Sequence, residues 1–170
     1  MKIELKKWTE ENKKDLIRVC NSVDRKYLSG RLPYPYTVES ANWWYANVVS
    51  GDGKNGIFRA ISVDGEIVGS ISVEMKTDIY IKDSEIGYML MPEYQGRGIM
   101  TEAVSGICEI GFRELDIERI TGYVFATNTA SQKVLLKNGF ELEGLMKRAV
   151  YKDGNISDLH IYGKCRAGKF

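Results

Sequence analysis

The sequence predicts a mixed α/β domain, with a mostly antiparallel central sheet of about seven strands and helices on both faces. Three observations predict it. Asp64-Gly65 joins two alternating apolar runs, as a two-residue hairpin turn does. Lys152-Asp153-Gly154-Asn155 joins two more further on. Between the hairpins, an apolar run at 84–91, a long helical pattern and a β-rich run at 119–126 make a strand–helix–strand crossover. Such a crossover implies parallel pairing of its two strands.

In chain order, 3–8 alternates as a first strand, and 10–23 follows with Leu16, Val19, Cys20 and Val23 at helical spacing. An aromatic region comes next. Tyr27, Tyr34, Tyr36, Trp43, Trp44 and Tyr45 gather around a loop that Pro33 and Pro35 keep extended. Thr37 opens a second helix reaching to about 49, and 50–55 is a turn-rich break. The first hairpin uses Gly56–Val63 and 66–73, and a polar link, 74–83, leads to the strand at 84–91. A long helix then runs to about Leu115, packing Ala103, Val104, Ile107, Cys108 and Gly111. The run 119–126 is rich in strand-forming residues. Thr129–Lys137 is a short helix closed by Asn138-Gly139 in the C-cap role. The last two strands are 140–151 and 156–163, and the whole chain, 1–170, is expected to be one domain.

Composition excludes several classes. Lys and Arg total 24 against 23 Asp and Glu, a formal charge of +1, so no basic face for nucleic acid is expected. No apolar run approaches the ~20 residues of a membrane span. The polar start of the chain is unlike a secretory signal. Three separated cysteines, Cys20, Cys108 and Cys165, read as free thiols of a reducing cytoplasm. With His160 as the single histidine and no paired cysteines, no metal site is expected.

The chain is organised around residues 94–103, YQGRGIMTEA, between the strand at 84–91 and the long helix. Gly96 and Gly98 let a ligand approach bare backbone, and the following helix directs free N–H groups and a positive dipole end at it. That combination binds phosphate. A P-loop needs Lys-Ser/Thr after its second glycine, where Ile99-Met100 stands. The dinucleotide fingerprint wants glycine or alanine at Thr101, and too little chain follows for a doubly wound sheet.

The remaining pattern is Q/R-x-x-G-x-G/A. Gln95-Gly96-Arg97-Gly98-Ile99-Met100 resembles the acetyl-CoA pyrophosphate loop of the GNAT N-acetyltransferases, with Met100 in place of the usual Gly or Ala. The longer string, then Asn128-Thr-Ala-Ser131 and Asn138-Gly139-Phe140-Glu-Leu-Glu143-Gly144, is similar to the RimJ/RimL branch, which includes modifiers of ribosomal-protein N-termini. The resemblance covers nearly the whole chain. It implies a GNAT-like sheet whose fourth and fifth strands are parallel and splay apart, with acetyl-CoA as cosubstrate lying between them. It also implies that Leu90 and Asn128 bond the pantetheine arm, and that Gln95, Gly96, Arg97, Gly98, Ile99, Met100 and Thr101 hold the pyrophosphate.

Acetyl transfer needs a neutral amine and a stabilised thiolate. A protein α-amine titrates near ~8 and a lysine near ~10.4, so the first needs less help. Glu85 is the candidate base: it begins the strand abutting the thioester and alternation puts it on one face with Gly87 and Met89. The plain alternative is a solvated strand-end carboxylate. Ser131 matches the branch's proton donor to the CoA sulfur; the plain alternative is an exposed first-turn serine. RimL-like members can carry a glutamate base just before the tyrosine at Tyr151, where this chain has Val150, so that base is absent here or its role passes to Glu85 or water. Tyr123 and Tyr151 read as packing residues, Cys108 as core, and Arg97 and Lys133 as phosphate ligands or surface cations.

The expected function is acetyl transfer from acetyl-CoA to a primary amine by direct attack in a ternary complex. The acceptor is a protein N-terminus, ribosomal or other, or a small molecule. The competing reading is a catalytically silent acyl-CoA-binding module. A homodimer stays open. No nucleic-acid or membrane partner is expected.

Overall fold

Strand β1 (Ile3–Lys7) lies antiparallel to β2 (Gly56–Val63), and β2 turns directly into β3 (Glu66–Met75). The turn residues Asp64 and Gly65 have φ of 48° and 95°, the mirror-image turn that suits the twist of a hairpin. β3 pairs antiparallel with β4 (Asp83–Leu90), beside which β5 (Arg119–Phe125) runs parallel. The hairpin of β6 (Glu141–Lys152) and β7 (Asn155–Cys165) completes the sheet, through β7. The strand order is β1-β2-β3-β4-β5-β7-β6. This computed structural model describes residues 1–168, so the last two positions of the expected domain lie outside the described residues.

Among the described residues, four α-helices cover the sheet: α1 (Lys13–Ser22), α2 (Val38–Asn47), α3 (Ile99–Glu114) and α4 (Thr129–Lys137). Strand alternation explains why both faces need cover. In β2, Ile57 and Ile61 join the core beneath α3, with Ala103, Val104 and Ile107. Phe58 and Ala60 point the other way, into a second core with Leu16 and Val19 of α1 and Ala41 of α2. Every residue of β2 is buried, as a strand sandwiched between two layers must be.

Local chemistry moves some boundaries from their expected places. α1 begins at Lys13 rather than at residue 10, because the Asn12 side chain accepts from the Thr9 N–H (2.8 Å) and donates to the Lys7 carbonyl (3.1 Å). Those bonds hold the chain before Lys13 in a turn. The last hairpin closes over two residues, Asp153 (φ 50°) and Gly154 (φ 78°), rather than four. In β6, Arg148 has φ 53° within a bulge, and its N–H donates to Asp158 Oδ1 at 2.7 Å.

The ladder between β4 and β5 is short. It pairs Asp83 with Arg119, Ser84 with Ile120 and Glu85 with Thr121, and then the strands part. Leu135 of α4 packs at the fork: a Cβ on Gly122 would lie 2.7 Å from Leu135 Cδ1 and 3.4 Å from Ile86 Cγ2. A larger residue on β5 there would force that leucine to shift. The parallel, splayed pair expected of strands four and five is therefore present.

Candidate active site

The fork opens a cleft on its α3–α4 side. Beyond Leu90 the chain makes a short turn, Pro92–Tyr94, and enters α3 through Gly96 (φ 74°) and Gly98 (φ 80°). A Cβ at either glycine would meet nothing within 4 Å, so it is the left-handed backbone, not crowding within the protein, that favours glycine there. The Gln95 side chain closes the loop on the strand, its Nε2 donating to the Leu90 carbonyl at 3.3 Å. The first-turn N–H groups of the 16-residue helix α3 open on the same space. Across it stand Lys133 and Lys137 of α4, one turn apart. Free amides, a helix N-terminus and two cations suit a diphosphate. The Asn138 side chain donates to the Thr101 carbonyl (3.1 Å), fixing the two helices across the cleft.

This cleft has a volume of about 410 Å³ and reaches inward to Tyr88, Met89 and Ser131. Met91 N–H donates to the Val68 carbonyl at 2.9 Å. Alternation along the antiparallel ladder then turns the backbone groups of Leu90 and Tyr88 away from β3 and into the fork. An extended polar ligand lying there finds strand-like partners on one side. On the other, Asn128 caps α4 by accepting from the Ser131 N–H at 3.2 Å. The Ser131 hydroxyl lies 2.6 Å from the Tyr88 hydroxyl. Burial pushes the Tyr88 phenol up to about 12, against the opposing effect of its hydrogen bond with Ser131, so it stays protonated.

A second cleft, of about 880 Å³, lies on the α1–α2 side. Its floor is β3 and β4, with Ser72 opposite Gly87 and Glu74 opposite Glu85. Trp43 and Trp44 of α2 and Arg31 of the α1–α2 loop form its walls. Trp44 also packs edge-on to Trp8 and Phe58, at 5.9 and 6.2 Å, while Trp43 is 64% exposed. The two clefts share Leu28, Tyr88 and Met89, so the floor is continuous from one to the other.

Glu85 lies in the second cleft with its side chain open to solvent. The surrounding walls still displace water from it, and burial raises its pKa above the usual carboxylate value. The Glu74 carboxylate adds to the rise, while Lys76 and Arg31 oppose it. Glu85 and Tyr88 are three positions apart along the strand, roughly 10 Å of backbone. Lys76 is committed elsewhere, donating to Asp83 Oδ2 at 2.6 Å and to the Tyr123 hydroxyl at 3.0 Å.

A model of the acetyltransferase (GNAT) domain matches residues 2–141. This chain belongs to the GNAT acetyltransferase family. It is 34% identical over 97 residues to the uncharacterized N-acetyltransferase YoaA of Bacillus subtilis (strain 168), covering 57% of this chain and 54% of that protein. It is 30% identical over 101 residues to the ribosomal-protein-serine acetyltransferase of Escherichia coli (strain K12), covering 59% of this chain and 56% of that one. The chain thus spans about half the length of the curated relatives it matches. A solved structure of RimL, described as ribosomal L7/L12 α-N-protein acetyltransferase in complex with coenzyme A, superposes with a TM-score of 0.83 at 25% identity, over 96% of this chain and 93% of that chain.

Within this GNAT fold, most residues singled out in the sequence gather at the first cleft: Leu90, Gln95, Gly96, Gly98, Ile99, Met100, Thr101, Asn128 and Ser131 line it. Ile99 buries its side chain in the core, leaving its backbone to the cleft. Arg97 does not line the cleft; its guanidinium lies 5.6 Å from the ring of Tyr94, which does. Ser131 is half-buried rather than exposed. Cys108 is core, Tyr123 is held by Lys76, and Tyr151, read as a packing residue, is 75% exposed instead. Tyr88 and Lys137 were not singled out. The spacing of Lys133 and Lys137, four apart on one helix face, was the available signal for the second. Among the described residues, no group of three or more His, Cys, Asp or Glu is placed to hold a metal ion, and no helix is long and apolar enough to cross a membrane.

Proposed function

We propose that this chain transfers an acetyl group from acetyl-CoA to a primary amine by direct attack. The observation that carries the reading is the meeting of two clefts over Tyr88 and Met89. One is shaped for a diphosphate and an extended arm; the other is open, partly aromatic and carries a carboxylate. The thioester supplies the activated acyl group. In this reading Gln95 to Thr101, Arg97 included, hold the pyrophosphate with Lys133 and Lys137. Leu90 and Asn128 hold the arm, and Ser131 donates a hydrogen bond to the departing sulfur. Glu85 takes the amine proton through water, since the strand holds it too far from Tyr88 for direct contact. Three free cysteines suit a reducing cytoplasm.

The acceptor is the α-amine of a peptide or protein, or a small amine. RimL, by its description, acts on a ribosomal protein's N-terminus, and the relative from Escherichia coli is named for a ribosomal-protein serine. A groove of about 880 Å³ is larger than one amino acid needs, which favours the peptide. The silent-binder reading draws on Val150 standing where RimL-like members can carry their base. Incubating the protein with acetyl-CoA and a panel of N-terminal peptides and small amines, and measuring thiol release, separates them. Release that depends on amine supports transfer. Binding of acetyl-CoA with no amine-dependent release leaves the silent module.

A further inference from the structure

The Tyr88 and Ser131 hydroxyls, 2.6 Å apart and brought together from β4 and α4, form a pair whose direction matters. We propose that Tyr88 is a positioning residue: its hydroxyl donates to Ser131 Oγ, and so leaves the Ser131 hydrogen free to point at the CoA sulfur. This rests on Ser131 being the group that faces the sulfur. Either hydroxyl can donate in principle, but only one arrangement serves the leaving group. Were Ser131 to donate to Tyr88, its oxygen lone pairs would face the developing thiolate and repel it.

Chemistry favours the useful direction. A phenol is the more acidic hydroxyl and the better donor, while the alkyl oxygen of serine is the better acceptor. Burial keeps the Tyr88 phenol protonated through the neutral range, so its hydrogen is always present. The Ser131 backbone is held as well, because its N–H is taken by the Asn128 side chain at 3.2 Å. The Ser131 carbonyl lies 3.5 Å from the same hydroxyl, a much longer contact that competes poorly with Oγ at 2.6 Å for its one hydrogen. A hydrogen bond received by Ser131 polarises the one it gives. As the C–S bond breaks, the electron pair moves onto sulfur and meets the Ser131 hydrogen. The amine's proton leaves on the opposite side, toward Glu85. Tyr88 itself loses no proton.

The test is the thiol pKa of bound CoA, followed by thiolate ultraviolet absorbance with the apoprotein curve subtracted. An unperturbed thiol titrates near ~8.5. Bound to the wild-type protein it is expected to titrate about one unit lower. Ser131→Ala and Tyr88→Phe are each expected to return it toward the free value, and the double variant to match Ser131→Ala alone. Tyr88→Phe keeps the ring that packs against the core, and kcat in any productive amine assay is expected to fall on the order of tenfold. A bound thiol unmoved by Ser131→Ala removes both the serine's role and this proposal. A thiol moved by Ser131→Ala but not by Tyr88→Phe overturns the proposal alone. Additive effects in the double variant also overturn it, since Tyr88 would then act independently.

Discussion

Glu74 and Glu85 face one another across the β3–β4 ladder, two carboxylates at opposed positions on one groove floor. Burial raises the Glu85 pKa most, and the charge of Glu74 adds to it. The sign of the linkage follows. A carboxyl with a raised folded-state pKa contributes stability that is complete below the unfolded pKa and is lost as pH climbs through the folded value. Glu85→Gln is therefore expected to raise the denaturation midpoint at about pH 8 and leave it unchanged near about pH 3, either side of the carboxylate range. The same change is expected to lower kcat by roughly a hundredfold and remove the acid limb of the pH profile. Wild-type kcat with an intact acid limb would rule Glu85 out as the base.

Gly98 enters α3 with φ of 80°, a conformation that strains L side chains. Gly98→Asn tests strain alone, since asparagine tolerates this region better than most residues. Gly98→Asp adds a negative charge at the helix N-terminus. Calorimetric titration is expected to show acetyl-CoA binding about tenfold weaker for the aspartate than for the asparagine variant. Equal affinities would remove the diphosphate from this loop.

Gly69 and Gly87 make a contrasting pair. A Cβ at Gly69 would lie 2.5 Å from the Met89 carbonyl, backbone against backbone, at the junction of the clefts. Gly69→Ala is expected to cost about 2 kcal/mol in urea denaturation and to lower kcat by displacing Met89. A Cβ at Gly87 meets only Ser72 Oγ, at 3.7 Å. Gly87→Ala is expected to fold as well as wild type but to narrow the groove, so KM rises for the amine and not for acetyl-CoA. The reverse pattern would mean that this groove is not the acceptor's.

Arg59 is buried, and its Nη1 pairs with Asp52 Oδ1 at 2.6 Å. Asp52 also accepts from the Phe58 N–H. Arg59→Met leaves that half-buried carboxylate only the Phe58 N–H and the more distant Lys7, at 3.8 Å, with an expected loss of about 2 kcal/mol. Both clefts lie elsewhere, so acetyl-CoA affinity of the folded protein should stay at the wild-type value. A loss of affinity without a loss of stability would place Arg59 in the binding machinery instead.

Much of this was legible because it is local. The Asp64-Gly65 hairpin and the cap at Asn138-Gly139 follow from backbone preferences of a few residues. The glycines of 94–103 and the face bearing Glu85 and Gly87 follow from spacing. What stayed hidden depends on partners distant in sequence. Tyr88 looks like any strand tyrosine until α4 brings Ser131 to it, 43 positions away. Arg97 sits between the loop glycines, yet the Tyr94 ring beside it offers its charge another surface. Lys137, in the last turn of α4, reads as a solvated cation suited to the helix dipole, and only the position of α3 turns it toward the cleft.

Lys152 of β6 donates to the main-chain carbonyls of Arg25 and Leu28, and Leu28 roofs the junction of the clefts. The loop over that junction is thus fastened by a residue 124 positions further along the chain, and also by Tyr27, whose hydroxyl donates to the Thr127 carbonyl at 3.2 Å. During synthesis that loop is made early and its fastening late. The Tyr27 tie reaches just past β5, whereas the Lys152 tie waits for the final hairpin. A ribosome-held chain halted before Lys152 would carry the glycine loop and the groove floor, with the later of the roof's ties missing.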